Sequence, residues 1–173
     1  MRNLLSTKDQ RQLRLMETLI QNRNWMKLHE LAEKLGCTER ILKSDLNELR
    51  VAFPSIDIQS SVNGIMIDLE VNTSVEDIYQ YFLANSQSFQ LLEYLFFNEG
   101  LPIYRTIENL HSSNANLYRL GRNITKTLST QFQIELSFTP SEIRGNEIDI
   151  RYFFAQYFSE RYYFLDWPFP DLP

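Results

Sequence analysis

The chain has 173 residues, 43% of them hydrophobic, with twelve Phe and nine Tyr; that apolar content supports packed cores and excludes a disordered chain. Seventeen Lys and Arg against 22 Asp and Glu give a net charge of −5, an average that disfavours a polyanionic partner. No run of about 18 apolar residues is present to span a membrane, the polar start MRNLLSTKDQRQ is not a signal peptide, and the single Cys37 excludes an internal disulfide, so the expected setting is cytoplasmic.

In chain order, Thr7 to Asn22 reads as a helix, with a capping-box pattern at Thr7 and Gln10 and with Leu13, Met16, Leu19 and Ile20 on one face. A short helix follows from Leu28 to Leu35, and Gly36-Cys37 breaks it. Thr38 caps a third helix that Pro54 stops near Phe53, with Leu42, Leu46, Leu49 and Phe53 inward. Two alternating segments, Ile56/Ile58/Ser60 and Ile65/Ile67/Leu69, flank Val62-Asn63-Gly64, a strong hairpin signal. Helix, helix, turn, helix and hairpin make a winged helix-turn-helix. Such a unit needs only about 60–80 residues, so two fit in the chain.

The second half runs through the same order. Thr73 and Ser74 with Glu76 and Asp77 open a helix through Asn85, and Phe89 to Asn98 forms another, ended by Gly100. Ile103 to Leu110 is a short helix, Ser112-Ser113 makes the turn and cap, and Leu117, Leu120, Ile124 and Leu128 stripe a longer helix, Ser113 to Gln131. Ile134, Leu136 and Phe138 alternate as a strand, Pro140 turns the chain, and Asn146 caps a last helix, Glu147 to Phe164. A constant offset of 75 maps Ile20 onto Leu95, Leu28 onto Ile103, Leu35 onto Leu110, Thr38 onto Ser113, Leu42 onto Leu117, Leu49 onto Ile124 and Phe53 onto Leu128. Core positions, cap and turn all obey it, which points to a structural duplication. The predicted fold is mainly α with small β-hairpins (α+β), a tandem winged helix-turn-helix. Residues 1–72 form the first unit, 73–86 a connecting helix, 87–145 the second unit, and 146–173 an aromatic helix leading into a linker.

In this architecture the helix after the turn enters the major groove of DNA, about 12 Å wide, and its outward Arg, Lys, Asn and Ser/Thr reach bases and phosphates. The later of the two such helices carries Arg119, Arg122 and Lys126 with no acidic residue. With Ser113, Asn114, Asn116, Tyr118 and Asn123 these are its candidate DNA contacts; an Arg paired with a guanine edge is worth about 1–3 kcal/mol of discrimination. Gly121 stands where the first unit has Leu46 and suits close packing. The earlier helix has Arg40, Lys43 and Arg50 against Glu39, Asp45 and Glu48. Its candidate contacts are Thr38, Arg40, Lys43, Ser44 and Asn47, with Arg11, Arg14, Arg23 and Lys27 supplying phosphate contacts. Wing-tip candidates are Ser60, Ser61 and Asn63 in the first unit and Thr139 and Ser141 in the second.

The charge layout matters more than its sum. Residues 1–27 carry six basic and two acidic residues, 57–100 carry seven acidic and no basic ones, 101–145 carry five basic and three acidic, and the last 28 carry two basic and five acidic. Screening removes fields beyond about 8 Å at physiological salt, so DNA meets only the local face. Taken alone, such unevenness is ordinary surface variation. Metal and enzyme readings lack parts: His29 and His111 are the only histidines, no ligand cluster has metal spacing, and the five glycines make no phosphate loop. No cofactor, no metal and no enzymatic activity is expected, and Cys37 reads as a packing residue.

The segment LHELAEKLGCTERILKSDLNELRVAFP, Leu28 to Pro54, resembles the first helix-turn-helix of Mga-type regulators of Gram-positive bacteria. NLYRLGRNI, Asn116 to Ile124, is similar to their second, and IRGNEIDIRYFFAQYFSERYYFLDWPF resembles the motif ending that region, with Gly145, Glu147, Ile150, Arg151 and Phe153 matching. The resemblance implies a global or virulence-linked transcriptional regulator, often an activator, that binds double-stranded DNA at promoters with limited sequence preference through shape readout. It also implies RNA polymerase as a partner, and further domains beyond Pro173: a phosphotransferase-system regulation domain and one like a sugar-transporter subunit. Homodimerisation would rest on those domains. Two alternatives stand beside it: a phosphotransferase-linked sugar-operon regulator or an antiterminator acting on RNA, and a winged helix used for protein association. For the last, residues 57–100 and the aromatic tail (Tyr152, Phe153, Phe154, Tyr157, Phe158, Tyr162, Tyr163, Phe164) supply the surface.

Overall fold

The apolar periodicities give helices where the spacing predicts them. In the computed structural model, which describes residues 1–69, 74–163 and 168–169, the first three helices are α1 (Thr7–Asn22), α2 (Leu28–Leu35) and α3 (Glu39–Ala52). Thr7 is the first helical residue, so it lies inside the helix rather than at its cap. The turn after α2 is closed by Gly36 in the left-handed region (φ 65°), whose N–H and that of Cys37 satisfy the last carbonyls of the helix. Thr38 then caps α3: its Oγ1 accepts from the Ile41 N–H at 3.3 Å. Leu42, Leu46 and Leu49 are buried on the inner face of α3, as are Leu13 and Met16 of α1 and Leu31 and Leu35 of α2.

Strands β1 (Ile56–Ser61) and β2 (Gly64–Leu69) pair antiparallel, Ser61 opposite Gly64 at the tip and Asp57 opposite Asp68 near the base. A third segment joins them that the sequence pattern does not announce. Met26 exchanges both backbone hydrogen bonds with Ile65, at 2.9 and 2.8 Å, and so ties the hairpin to the start of α2. Gly64 is required there: at φ 126°, an added Cβ would lie 2.0 Å from the Met26 carbonyl oxygen. Helix α4 (Val75–Asn85) opens on Ser74, whose Oγ accepts from the Asp77 N–H while the Asp77 carboxylate accepts from the Ser74 N–H and hydroxyl. Thr73, expected at this cap, lies outside the described residues.

Helices α5 (Gln87–Phe97), α6 (Ile103–Asn109) and α7 (Asn114–Ser129) repeat the three-helix order, and β3 (Glu135–Phe138) with β4 (Ser141–Arg144) makes the second wing. Helix α5 starts two residues ahead of Phe89, where its apolar stripe begins, because polar Gln87 and Ser88 fill its first turn. The duplication is physical. Ser113 caps α7 as Thr38 caps α3, accepting from the Asn116 N–H at 3.2 Å. Gly100 and Leu101 bond the backbone of Ser141 as Met26 bonds Ile65. Even the left-handed turn residue recurs, with His111 (φ 45°) standing 75 residues after Gly36.

Helix α8 (Glu147–Arg161) is capped by Asn146, whose Oδ1 accepts from the Ile148 N–H at 2.8 Å. Its Phe153, Phe154, Tyr157 and Phe158 are buried among Phe89, Phe96 and Phe132. These four aromatics are therefore core residues rather than the free surface expected for protein association, whereas Tyr152 and Tyr163 are exposed; Phe164 lies outside the described residues. Two compact units result: Thr7–Phe82, and Met1–Ser6 with Leu83–Pro173. In the second, Leu4 and Leu5 are buried and the Met1 ammonium lies 3.4 Å from the Glu160 carboxylate.

Candidate nucleic-acid interface

In the first unit, burial and ion pairing sort the charges of α3. Asp45 is only 1% exposed. Its carboxylate accepts from Arg11 Nε at 2.6 Å, Arg11 Nη2 at 3.1 Å and Gln12 Nε2 at 3.1 Å. Glu48 meets Lys8 Nζ at 2.5 Å and Gln12 Nε2 at 3.0 Å, and these bonds, Lys8 first, hold its carboxyl below the usual range. Two acids that offset the helix's cations in a simple count thus turn toward α1 and are neutralised there. The outward face keeps Thr38, Arg40, Lys43, Ser44 and Asn47, all exposed, with Glu39 the one acid near its start. The expectation that Arg11 serves as a phosphate contact is corrected, because its guanidinium is committed to Asp45, whose hydrogen bond raises its pKa further. The Asp45 signal was present: it falls three residues after Leu42 and four before Leu49, on the buried stripe, where a carboxylate needs a buried partner.

Arg50 closes the opposite end of the face. It donates from Nε to the Ile58 carbonyl (3.1 Å), from Nη1 to Asn47 Oδ1 (3.2 Å) and from Nη2 to Ser60 Oγ (2.5 Å). Asn47 keeps its two amide N–H groups for a ligand, its carbonyl oxygen having Arg50 as a donor. Lys27 reaches the wing tip, donating to the Val62 carbonyl at 2.9 Å. Cys37, at the turn, is half-buried and desolvation pushes its thiol pKa up, the opposite of a reactive thiolate.

In the second unit, α7 presents Asn114, Tyr118, Arg119, Arg122, Asn123 and Lys126 exposed, with Ser113 at its cap and Asn116 half-buried. Arg119 Nη2 donates to Asn116 Oδ1 at 2.7 Å, and Asn116 Nδ2 donates to Ser112 Oγ at 2.9 Å. This chain fixes one edge of the guanidinium and leaves its other donors outward. Tyr118 is 39% exposed and its ring meets Phe138 edge-on at 5.2 Å. Gly121 is the reason Phe138 fits: a Cβ there would come 2.5 Å from Phe138 Cε2. Leu46 occupies the equivalent position in the first unit and is itself buried. Of the wing-tip candidates, Ser60, Ser61, Asn63 and Thr139 are exposed. Ser141 is not: it is fully buried, with its backbone joined to Gly100 and Leu101 and its hydroxyl beside Thr106 Oγ1, so it is a structural tie and not a contact.

Among the described residues no group of three or more His, Cys, Asp or Glu could hold a metal, and no helix is long and apolar enough to cross a membrane. Two three-helix units, each with a capped turn, a polar third helix and a hairpin behind it, define a tandem winged helix-turn-helix protein. Residues 71–158 match the family described as the Mga helix-turn-helix domain, and residues 6–65 match the M protein trans-acting positive regulator (MGA) HTH domain. The chain belongs to the Mga family. It is 48% identical over 171 residues, 99% of its length, to a Streptococcus pneumoniae serotype 4 protein named as a trans-acting regulator, of which it covers 35%. It is 26% identical to the capsule synthesis positive regulator AcpA of Bacillus anthracis over 93% of the chain, and 22% identical to AcpB of the same organism over 94%. The chain spans about a third of the length of each of these relatives.

Proposed function

We propose that this chain is the double-stranded DNA-binding part of a transcriptional regulator, with α7 as its principal reading helix and α3 as a second. The observation that carries the reading is the outward face of α7: Arg119, Arg122 and Lys126 exposed, no acid anywhere on the helix, and a capped turn directly before it. Phosphate neutralisation supplies most of the affinity of such a face and makes it salt-dependent. The ordered guanidinium of Arg119 suits the two acceptors of a guanine edge. The mode assigned is sequence-tolerant binding at deformable promoter DNA, in which the shape of the duplex is read as well as its bases. The relatives' names speak of positive regulation, and activation is the sign we assign here, with RNA polymerase and a second copy as partners of the full-length protein.

The test is fluorescence anisotropy with a duplex and with an RNA hairpin of matched length. The chain binds the duplex more tightly, and Arg119→Ala/Arg122→Ala weakens it by about 10-fold or more, on the scale of the roughly 1–3 kcal/mol per Arg–base pair. Unchanged affinity removes α7 as the reader, and preference for the hairpin supports the antiterminator instead.

A further inference from the structure

Helix α5, the end of α6 and the end of α8 line a cleft of about 440 Å³ in the second unit. That volume lies in the range of roughly 300–1,000 Å³ usual for small-molecule sites. Its wall combines the rings of Tyr94 and Phe97 with Asn109 and His111, from the turn before α7, and with Glu93 and Arg161. The two charged residues are held differently. Glu93 is satisfied by hydroxyls, Oε2 accepting from Tyr157 at 3.0 Å and Oε1 from Tyr162 at 2.6 Å. Arg161 is half-buried, its guanidinium stands over the Tyr162 ring at 4.7 Å, and its Nη1 is buried with no hydrogen-bond partner. Among the described residues it makes no ion pair. A guanidinium can only donate, and a buried donor without an acceptor is an exception in folded proteins.

The turn supplies a second signal. His111 holds φ 45° where the first unit has Gly36. That conformation is disfavoured for a residue with a side chain, yet the imidazole is kept, and it lines the cleft. Strained residues gather where a side chain has a task. The offset of 75 also sets Thr18 at Glu93, so the acid and the imidazole are additions of the second unit and not parts of the duplicated plan.

We propose that this cleft binds a small organic monocarboxylate with an apolar body. Arg161 receives the carboxylate, Tyr94 and Phe97 pack the body, and Asn109 and His111 hold it to the turn. Charge balance selects the class. Attraction to Arg161 and repulsion from Glu93 both grow in proportion to the ligand's charge, whereas its desolvation cost grows with the square. A single carboxylate is thus favoured over a phosphate dianion, and its two oxygens match the guanidinium fork. The turn leads directly into α7, so an occupied cleft steadies the start of that helix and raises its affinity for duplex. This coupling rests on the DNA-binding reading above; the cleft itself does not.

The experiment titrates the whole chain with benzoate and follows amide NMR signals, with benzamide as the neutral isostere and inorganic phosphate as the dianion. Benzoate shifts the Glu93, His111 and Arg161 signals saturably by millimolar concentration, and neither control does. Arg161→Gln weakens benzoate by about 10-fold or more. Asn109→Ala, a change at an exposed residue, weakens it by about 2- to 10-fold and serves if the first variant does not fold. Saturating benzoate raises duplex affinity of the unmodified chain by about 5-fold and leaves that of Arg161→Gln unchanged. Shifts that do not saturate, equal shifts with benzamide, or full benzoate affinity in both variants overturn the site. Tighter binding of phosphate overturns the carboxylate class. Saturable benzoate binding with unchanged duplex affinity overturns the coupling to α7 alone. Saturable benzoate binding by a chain that binds no duplex overturns the DNA reading and the coupling, and leaves the cleft standing.

Discussion

His111 sits in the left-handed region at the position the duplication gives to Gly36. A non-glycine residue there bears roughly 1–2 kcal/mol of steric cost, and glycine's extra chain freedom when unfolded offsets about 0.5–1 kcal/mol of it. His111→Gly is therefore expected to stabilise the second unit by about 0.5–1 kcal/mol in urea denaturation; destabilisation would mean the imidazole makes a contact the turn depends on. A second residue-scale effect comes from Glu93, whose carboxylate accepts the hydroxyls of Tyr157 at 3.0 Å and Tyr162 at 2.6 Å. Desolvation first, and then this carboxylate, push Tyr162 up to about 12 and raise Tyr157 as well. Raised folded-state values mean that the stability from these hydroxyls is complete below the unfolded tyrosine pKa of about 10 and is lost as pH rises toward the folded values. Thermal melts should be level up to about pH 10 on this account and fall from there toward pH 12, with Tyr162→Phe flattening the fall.

At the scale of elements, two positions decide how the third helices are held. Gly121 lets the Phe138 ring lie against α7. Gly121→Ala forces that ring aside, with an expected cost of about 1–3 kcal/mol and displaced Tyr118 and Phe138 resonances in NMR spectra; a neutral substitution would show that the ring has room. Asp45 ties α3 to α1 through Arg11 and Gln12. Asp45→Ala leaves a mostly buried guanidinium without its acceptor and should cost about 2–4 kcal/mol, while Asp45→Leu/Arg11→Met recovers most of the loss; additive losses would mean the two residues act separately. Much of this level was legible in the sequence. The cap residues Thr38 and Ser113, the break at Gly36, the Asn63-Gly64 hairpin and the cap at Asn146 are local signals, and local chemistry decided them. What was not legible depends on partners distant in sequence. The Met26 bridge to Ile65 carries no periodic pattern, the ring that needs Gly121 is 17 residues away, and the direction of Asp45 and Glu48 is invisible to a charge count.

For the whole molecule, the duplicated plan matters less than where the copies differ. The same offset that aligns caps and cores sets Leu46 against Gly121, Lys27 against Pro102 and Arg50 against Thr125. Both copies expose cations on the third helix, Arg40 and Lys43 on α3 and Arg119, Arg122 and Lys126 on α7, and the first adds Lys27 and Arg50 bonded to its wing. A net charge of −5 does not contradict DNA binding in such a chain, because acids such as Asp45 and Glu48 are paired internally and Asp57 and Asp68 lie at the base of the wing. The chain belongs to the Mga family, and the α7 surface is where we propose that it meets DNA.

Methylation of guanine N7 by dimethyl sulfate, which probes the major groove alone, examines that meeting most directly. On a duplex selected for tight binding, the unmodified chain should shield at least one guanine, and Arg119→Ala/Arg122→Ala at saturating concentration should leave the same guanine reactive. Saturated binding with no guanine shielded, or with shielding identical in the double variant, would place the reading surface somewhere other than α7.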